Sequence, residues 1–356
     1  MATELDQDKA QAFAGRMLGF LNGASIAQMI SIGHQTALFD IMSTLPPSTS
    51  RQIAEASGLT ERYVREWLGC MVTGRIIDHE PSGETYALPP EHAAWLTRAA
   101  GIDNMSSFMQ FFPLLGDVSA QIVDCFRNGG GVPYSSYPEF QTLMAEFSGA
   151  RQDAALVDTI LPLVPKLVER MEAGIEVADI GCGQGHAVNL MAKAFPNSRF
   201  IGFDFSEEGI ANATAESDAM KLSNTRFVVR DVATLGVSER YDLITAFDAI
   251  HDQAQPASVL AGIATALRPE ATFLMVDVAA SSNVSENIEH PLGPFLYTVS
   301  CMHCMTVSLA LDGEGLGAVW GEQKAREMLA AAGFTNVDVE QVEGDILNSY
   351  YIARRG

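Results

Sequence analysis

Basic residues are scarce in this chain: 22 lysines and arginines stand against 44 aspartates and glutamates, a formal net charge of −22. A surface of that sign repels nucleic-acid backbones and acidic membrane surfaces, so neither is an expected partner. Cysteine is scarce too. Cys70, Cys125, Cys182, Cys301 and Cys304 are odd in number and scattered, which implies no disulfide framework and suits a reducing cytoplasm. No apolar run approaches the ~20 residues of a membrane span. The start, Met1 to Lys9, is acidic and lacks the basic-then-apolar layout of a signal peptide. Charged residues make up 19% and hydrophobic ones 47% of 356, which argues against disorder and supplies a large core. The length itself points to two domains.

Apolar residues at Ala10, Phe13, Ala14, Met17, Leu18, Leu21 and Ala24 predict one helix over 10–30, and a second over 33–45 stopped by Pro46-Pro47. Thr49 with Gln52 forms a capping-box pattern opening a short helix at 51–57, which Gly58 ends. Thr60 can cap a longer helix through Cys70. Strands at 75–80 and 85–88 around Pro81-Ser82-Gly83 read as a hairpin. This order describes a winged helix-turn-helix, assigned to a domain over 1–100. Residues 101–165 are helical and rich in aromatics, among them Phe108, Phe111, Phe112, Phe126, Tyr134, Tyr137, Phe140 and Phe147. They read either as core packing at a domain joint or as a lid over a substrate pocket.

Over 166–356 the pattern alternates. Strands are expected at 176–181, 198–204, 225–230, 240–247 and 271–278, with helices at 185–195, 207–222 and 257–268. That alternation implies an α/β, doubly wound parallel sheet. A helix at 321–332 follows an irregular stretch over 281–319. The closing strands, 335–343 and 347–355, lie too close for a helical crossover and must pair antiparallel, giving a Rossmann-like sheet of seven strands.

The central motif is Val177-Ala-Asp-Ile-Gly-Cys-Gly-Gln-Gly185, an apolar strand running into glycines 181, 183 and 185 and then a helix. His186 stands where a dinucleotide fingerprint needs its third glycine. The glycines preceded by Asp179 instead resemble motif I of class I S-adenosylmethionine-dependent methyltransferases. Asp204 ends the second strand, where an acid can accept both ribose hydroxyls; Asp231, followed by Val232, ends the third. Tyr241-Asp-Leu-Ile opens the fourth, and Leu267-Arg-Pro-Glu-Ala precedes the fifth, where the family usually has Gly-Gly near Glu270-Ala271. The resemblance implies S-adenosylmethionine as cofactor, held by Asp179, Gly181, Gly183, Gly185, Asp204, Phe205, Asp231, Val232 and Phe247. With the winged helix in front, the chain is similar to bacterial small-molecule methyltransferases related to the plant-type O-methyltransferases. The resemblance further implies a homodimer formed through the N-terminal domain, acting on a small, largely apolar molecule at oxygen.

Phe247-Asp-Ala-Ile-His251-Asp252 resembles the His-Asp-Trp of plant-type O-methyltransferases, with Gln253 in place of the Trp. The resemblance makes His251 the general base, a role a neutral imidazole suits; packing against the loop is the alternative. Cys301-Met-His-Cys304 lacks a second ligand pair at zinc spacing, so no metal is expected. His303 could face the substrate. Glu322 reads as a first-turn acid of the last helix in preference to a partner of His251.

Two rivals remain. One is a cofactor-sensing transcriptional regulator, disfavoured because 36–98 holds five arginines (51, 62, 65, 75, 98) against eight acids (40, 55, 61, 66, 78, 80, 84, 91). The other keeps the fold and redirects the chemistry.

Overall fold

The computed structural model describes residues 5–356, so Met1–Glu4 of the acidic start lie outside the described residues. The chain divides into two compact units, one ending at Leu114 and the other spanning Leu115–Gly356. The aromatic segment expected over 101–165 contributes to both.

In the first unit the first helix, Gln7–Gln35, runs past its expected end at 30, and of the second, expected over 33–45, only the short Leu38–Met42 forms. Asp6 caps it by accepting from the Lys9 amide at 3.1 Å. Gly33 does not break this helix. A Cβ there would come within 2.6 Å of the Phe39 ring and 2.7 Å of Trp67, so the glycine admits core side chains. The helix stops at Thr36, and Ala37 at φ 55° turns the chain into the short helix Leu38–Met42.

Thr49 and Gln52 form the expected capping box of Ser50–Ser57. Thr60 precedes Glu61–Thr73, but its side chain makes no capping bond. Three short strands, β1 (Ser48–Thr49), β2 (Asp78–Glu80) and β3 (Thr85–Ala87), form an antiparallel wing in the order β1-β3-β2. β2 starts later than expected because Arg75, at φ 59°, is in the left-handed region. Phe39, Ile53, Val64, Trp67, Leu68 and Met71 make the core, and the Trp67 indole donates to the Met29 carbonyl at 2.8 Å. Along the first helix, by contrast, Phe13, Met17, Leu18, Phe20 and Leu21 are each 49–64% exposed.

In the second unit, seven strands form one sheet: β4 (Glu176–Ile180), β5 (Arg199–Asp204), β6 (Thr225–Val229), β7 (Tyr241–Phe247), β8 (Leu267–Val278), β9 (Phe334–Glu340) and β10 (Asn348–Arg355). Their order is β6-β5-β4-β7-β8-β10-β9. Strands β4 to β8 pair in parallel, while β10 runs antiparallel to both β8 and β9. Successive residues feed opposite cores, as a sheet covered on both faces requires. Ala178, Ile244 and Phe273 pack with Leu260, Ile263 and Leu329. Val177, Leu243 and Leu274 pack with Val188, Met191 and Leu156. Glu270 sits at φ 63°, which gives the related families' glycines at this turn a physical reason. The chain moves outward from β4 through β5 to β6 and then returns to the other side of β4 as β7. The sheet's switch point therefore lies between β4 and β7, at the mouth of the glycine motif.

Candidate active site

The β4 strand delivers Asp179 and then the glycine loop. Asp179 lies opposite Gly202 of β5 and Thr245 of β7, 3% exposed, and accepts from the Thr245 hydroxyl at 2.6 Å. Burial pushes its carboxyl up to about 7, against the pull of the Thr245 bond and with help from the neighbouring Asp204 charge.

The three loop glycines have different reasons to be glycine. All have positive φ, at 69°, 53° and 71°. A Cβ on Gly181 would strike the Ala249 methyl at 2.6 Å, and one on Gly185 would strike Ala213 at 2.5 Å and Phe227 at 2.6 Å. A Cβ on Gly183 would find only Gln141, at 3.8 Å. The first and last glycines thus serve packing within the protein, and the middle one meets no backbone or core side chain, only the Gln141 tip at van der Waals distance. The loop is pinned to β5: the amides of Gly181 and Cys182 donate to the Phe203 carbonyl at 2.8 and 3.0 Å. The Gly183 amide donates to one Asp204 oxygen at 2.8 Å, and the Ser206 amide to the other, also at 2.8 Å. Each oxygen of Asp204 keeps a lone pair for an outside hydroxyl. Burial raises this carboxyl, and its backbone donors pull it back.

Phe205, just beyond Asp204, is 57% exposed and lies edge-on to Tyr134 at 5.6 Å. Asp231 is exposed and accepts from the Ala233 amide at 2.9 Å, opening a short turn that buries Val232. Phe247 ends β7 beside Val276 of β8. Every residue singled out for the cofactor therefore stands at, or just past, the carboxyl end of one of the neighbouring strands β4 to β7.

His251 follows on the same side, 5% exposed. Its Nδ1 meets Asp277 Oδ1 at 2.8 Å. The same oxygen accepts from the Trp320 indole at 3.1 Å and from the Val278 amide at 2.8 Å. Burial disfavours charge on the imidazole, but the Asp277 carboxylate and the Cys304 side chain within hydrogen-bonding reach outweigh it, and its pKa stands well above the ordinary 6.5. Asp277 fixes the ring through Nδ1, leaving Nε2 as the atom for proton exchange. Glu322 is not involved: it lies in the first turn of Gly321–Ala331 and pairs with Arg326 at 2.7 Å.

Sequence reasoning missed Asp277 and the orienting role of Trp320. Asp277 carried one signal, a lone acid in the apolar run Phe273-Leu-Met-Val-Asp-Val278. Cys304 and His303 are buried, and no group of three or more possible metal ligands occurs among the described residues.

Comparison with known proteins agrees with this geometry. Residues 24–98 match the family described as the Rv2258c-like winged HTH domain, and residues 171–333 match the family described as Methyltransferase domain. The chain joins a winged helix-turn-helix domain to a methyltransferase domain. The malonyl-[acyl-carrier protein] O-methyltransferase of Bacillus cereus is 30% identical over 119 residues, 33% of this chain and 38% of that one. The trans-aconitate 2-methyltransferase of an Acidovorax species is 32% identical over 93 residues, 26% of this chain and 34% of its own length. The chain thus spans little more than a third of these curated relatives. Likeness of fold extends much further. Human N-acetylserotonin methyltransferase, solved with S-adenosylmethionine, superposes over 100% of both chains with a TM-score of 0.69 at 18% identity. The mitomycin 7-O-methyltransferase MmcR covers 98% of this chain and 99% of its own, with a TM-score of 0.71 at 17% identity. The methyltransferase domain therefore sits in a chain whose whole fold, winged helix included, is that of these enzymes.

Proposed function

We propose that this protein is an enzyme that transfers the methyl group of S-adenosylmethionine to an oxygen of a small, largely apolar molecule. The observation that carries this reading is the buried His251–Asp277 pair, set at the carboxyl end of the sheet beside a glycine loop whose middle member faces only the tip of the Gln141 side chain. Asp204 would take the ribose hydroxyls on its two remaining lone pairs, Asp231 and Val232 the adenine, and the 181–185 loop the amino-acid part. Phe205 and Phe247 would supply apolar contact. When bound, the cofactor supplies an electrophilic methyl on a sulfonium that departs as a neutral thioether.

The protein's share is positioning and proton removal. As the acceptor oxygen forms its bond to the methyl carbon, its proton passes to Nε2 of His251, and Asp277 stabilises the resulting imidazolium. Tyr134, Phe140 and the helix Phe140–Ala155 would form the lid that excludes water. No helix of the described residues is long and apolar enough to cross a membrane. Five free thiols support a cytoplasmic setting.

The exposed apolar stripe Phe13, Met17, Leu18, Phe20 and Leu21 supports a homodimer through the first helix, since such a patch on a lone chain would aggregate. The acidic balance of the winged helix argues for that role over DNA binding. The test is a screen of phenols, hydroxy acids and quinones for turnover of S-adenosylmethionine, with light scattering and duplex-DNA binding on the same preparation. Transfer to an oxygen acceptor by a dimer is expected. Salt-sensitive tight binding to DNA without turnover would favour the regulator instead.

A further inference from the structure

The second unit holds another imidazole that the proposed chemistry does not use. His303 is 1% exposed, and neither of its ring nitrogens has a hydrogen-bond partner among the described residues. Orphaned buried polar groups cost folding free energy, and a phenylalanine would fill the same space without that cost. The surroundings are built around the ring. Phe140 stacks on it with centroids 3.6 Å apart at 13°, and Tyr137 and Tyr134 present edges at 4.8 and 5.5 Å. The Tyr137 hydroxyl donates to the carbonyl of Met302, fixing the backbone beside it. His303 lies on the π-helical turn Ser300–Cys304, a widened turn that recurs at functional sites.

Two contacts tie this aromatic box to the active site. Tyr134 lies edge-on to both His303 and Phe205, the residue following Asp204, and accepts from Gln141, whose side chain approaches the open face of Gly183. On the other side, Cys304, adjacent in the chain, reaches the His251 ring. His303 is therefore linked to the cofactor loop through Tyr134 and to the base through its neighbour Cys304. Burial, aided by the positive charge of His251, lowers its pKa to about 3, so the ring stays neutral. It offers one N–H and one lone pair, the complement of a hydroxyl.

We propose that His303 is a substrate-binding residue, holding an oxygen substituent of a flat aromatic acceptor next to the oxygen that His251 deprotonates. The aromatic walls grip a flat ring by stacking and edge contacts, and the orphaned nitrogens find in the ligand the partner that the protein withholds. Phe140 must move off the imidazole face for the ligand to enter. A single hydroxyl satisfies only His251; an adjacent pair satisfies both imidazoles. The box thereby selects a 1,2-dihydroxyarene over the matching phenol.

This inference rests on the methyltransferase reading, and the test separates the two. Wild type, His303→Phe and His303→Gln are compared for S-adenosylmethionine binding by calorimetry, for melting temperature, and for kcat and KM with 2,3-dihydroxynaphthalene and 2-naphthol. In the expected result, His303→Phe keeps cofactor affinity, melts at or above wild type, and raises KM for the diol at least tenfold. KM for the naphthol stays put, and His303→Gln recovers part of the loss. Unchanged KM for the diol in His303→Phe overturns the proposal. So does an equal loss for both substrates with a lowered melting temperature, which marks a packing role, and so does failure of the wild type to bind the diol. Absence of S-adenosylmethionine binding in the wild type would overturn the methyltransferase reading itself, and this inference with it.

Discussion

The cofactor half and the catalytic half of the site are built from different materials. Around Asp204 the structure is nearly all backbone: three glycines with positive φ and two amides closing on one carboxylate within a few residues of the strand ends. Around His251 it is nearly all side chain, drawn from residues 251, 277 and 320 and from the 303–304 pair of one turn, four separate places in the chain. A backbone cradle is fixed by local conformation and tolerates little change, whereas a side-chain constellation depends on how distant segments pack. The two halves should therefore fail in different ways.

The largest expected effect tests the side-chain half. His251→Ala should cut turnover by about 10²–10⁴-fold, the usual contribution of base catalysis, while leaving S-adenosylmethionine affinity nearly intact. Single-turnover rates and calorimetry on the same variant check this, and full activity with an oxygen acceptor would remove the base role. A pH profile sharpens it. Only the unprotonated ring can accept a proton, and its pKa is raised, so the rate should climb with pH through a midpoint above 6.5. Asp277→Asn should lower both that midpoint and the rate, by about 10²-fold or more, because the ring loses its orienting carboxylate. A midpoint unmoved by Asp277→Asn would break the pairing argument.

The backbone half should show the opposite signature, weakened binding with the chemistry intact once bound. Asp204→Ala should cost S-adenosylmethionine binding about 1–3 kcal/mol, the scale of a lost charged acceptor, read by calorimetric titration. Gly183→Val should do worse, because a branched side chain needs both a strained φ of 53° and the space the ligand would fill. If either variant binds normally and merely turns over slowly, the division between the halves is wrong.

The smallest effect concerns Asp179. Its folded pKa of about 7 lies above the unfolded carboxylate value, so between about pH 4 and 7 the folded state holds the extra proton and stability falls as pH rises. Asp179→Asn should remove that slope, gaining on the wild type by more than about 1 kcal/mol between pH 4 and 7 in denaturant titrations. A constant difference across that range would show that Asp179 does not titrate there. Because S-adenosylmethionine is cationic, its binding near pH 7 should also release protons, detectable by calorimetry in buffers of different ionisation enthalpy.

The same contrast explains what could be read ahead of the structure. Alternating strands and helices, the antiparallel closing pair, the capping box at Thr49 and the glycine motif all arise from spacings within one or two elements, and each appears where it was expected. The boundary placed between residues 30 and 33 failed: the helix runs on through Gly33, whose missing Cβ admits the ring of Phe39 and the indole of Trp67. Thr60 was expected to cap and does not, since a capping residue in sequence still needs its rotamer to reach the helix amides.

Sequence alone determined the fold class and the acids at the strand ends, because periodicity and short-range spacing encode them directly. Only the tertiary structure decided which carboxylate orients His251, why Gly183 differs from its neighbours, and that His303 is buried without a partner. Those facts depend on side chains from β8, the Ser300–Cys304 turn and the Tyr134–Phe140 segment meeting in space, and no local rule of the chain specifies which distant residues will meet.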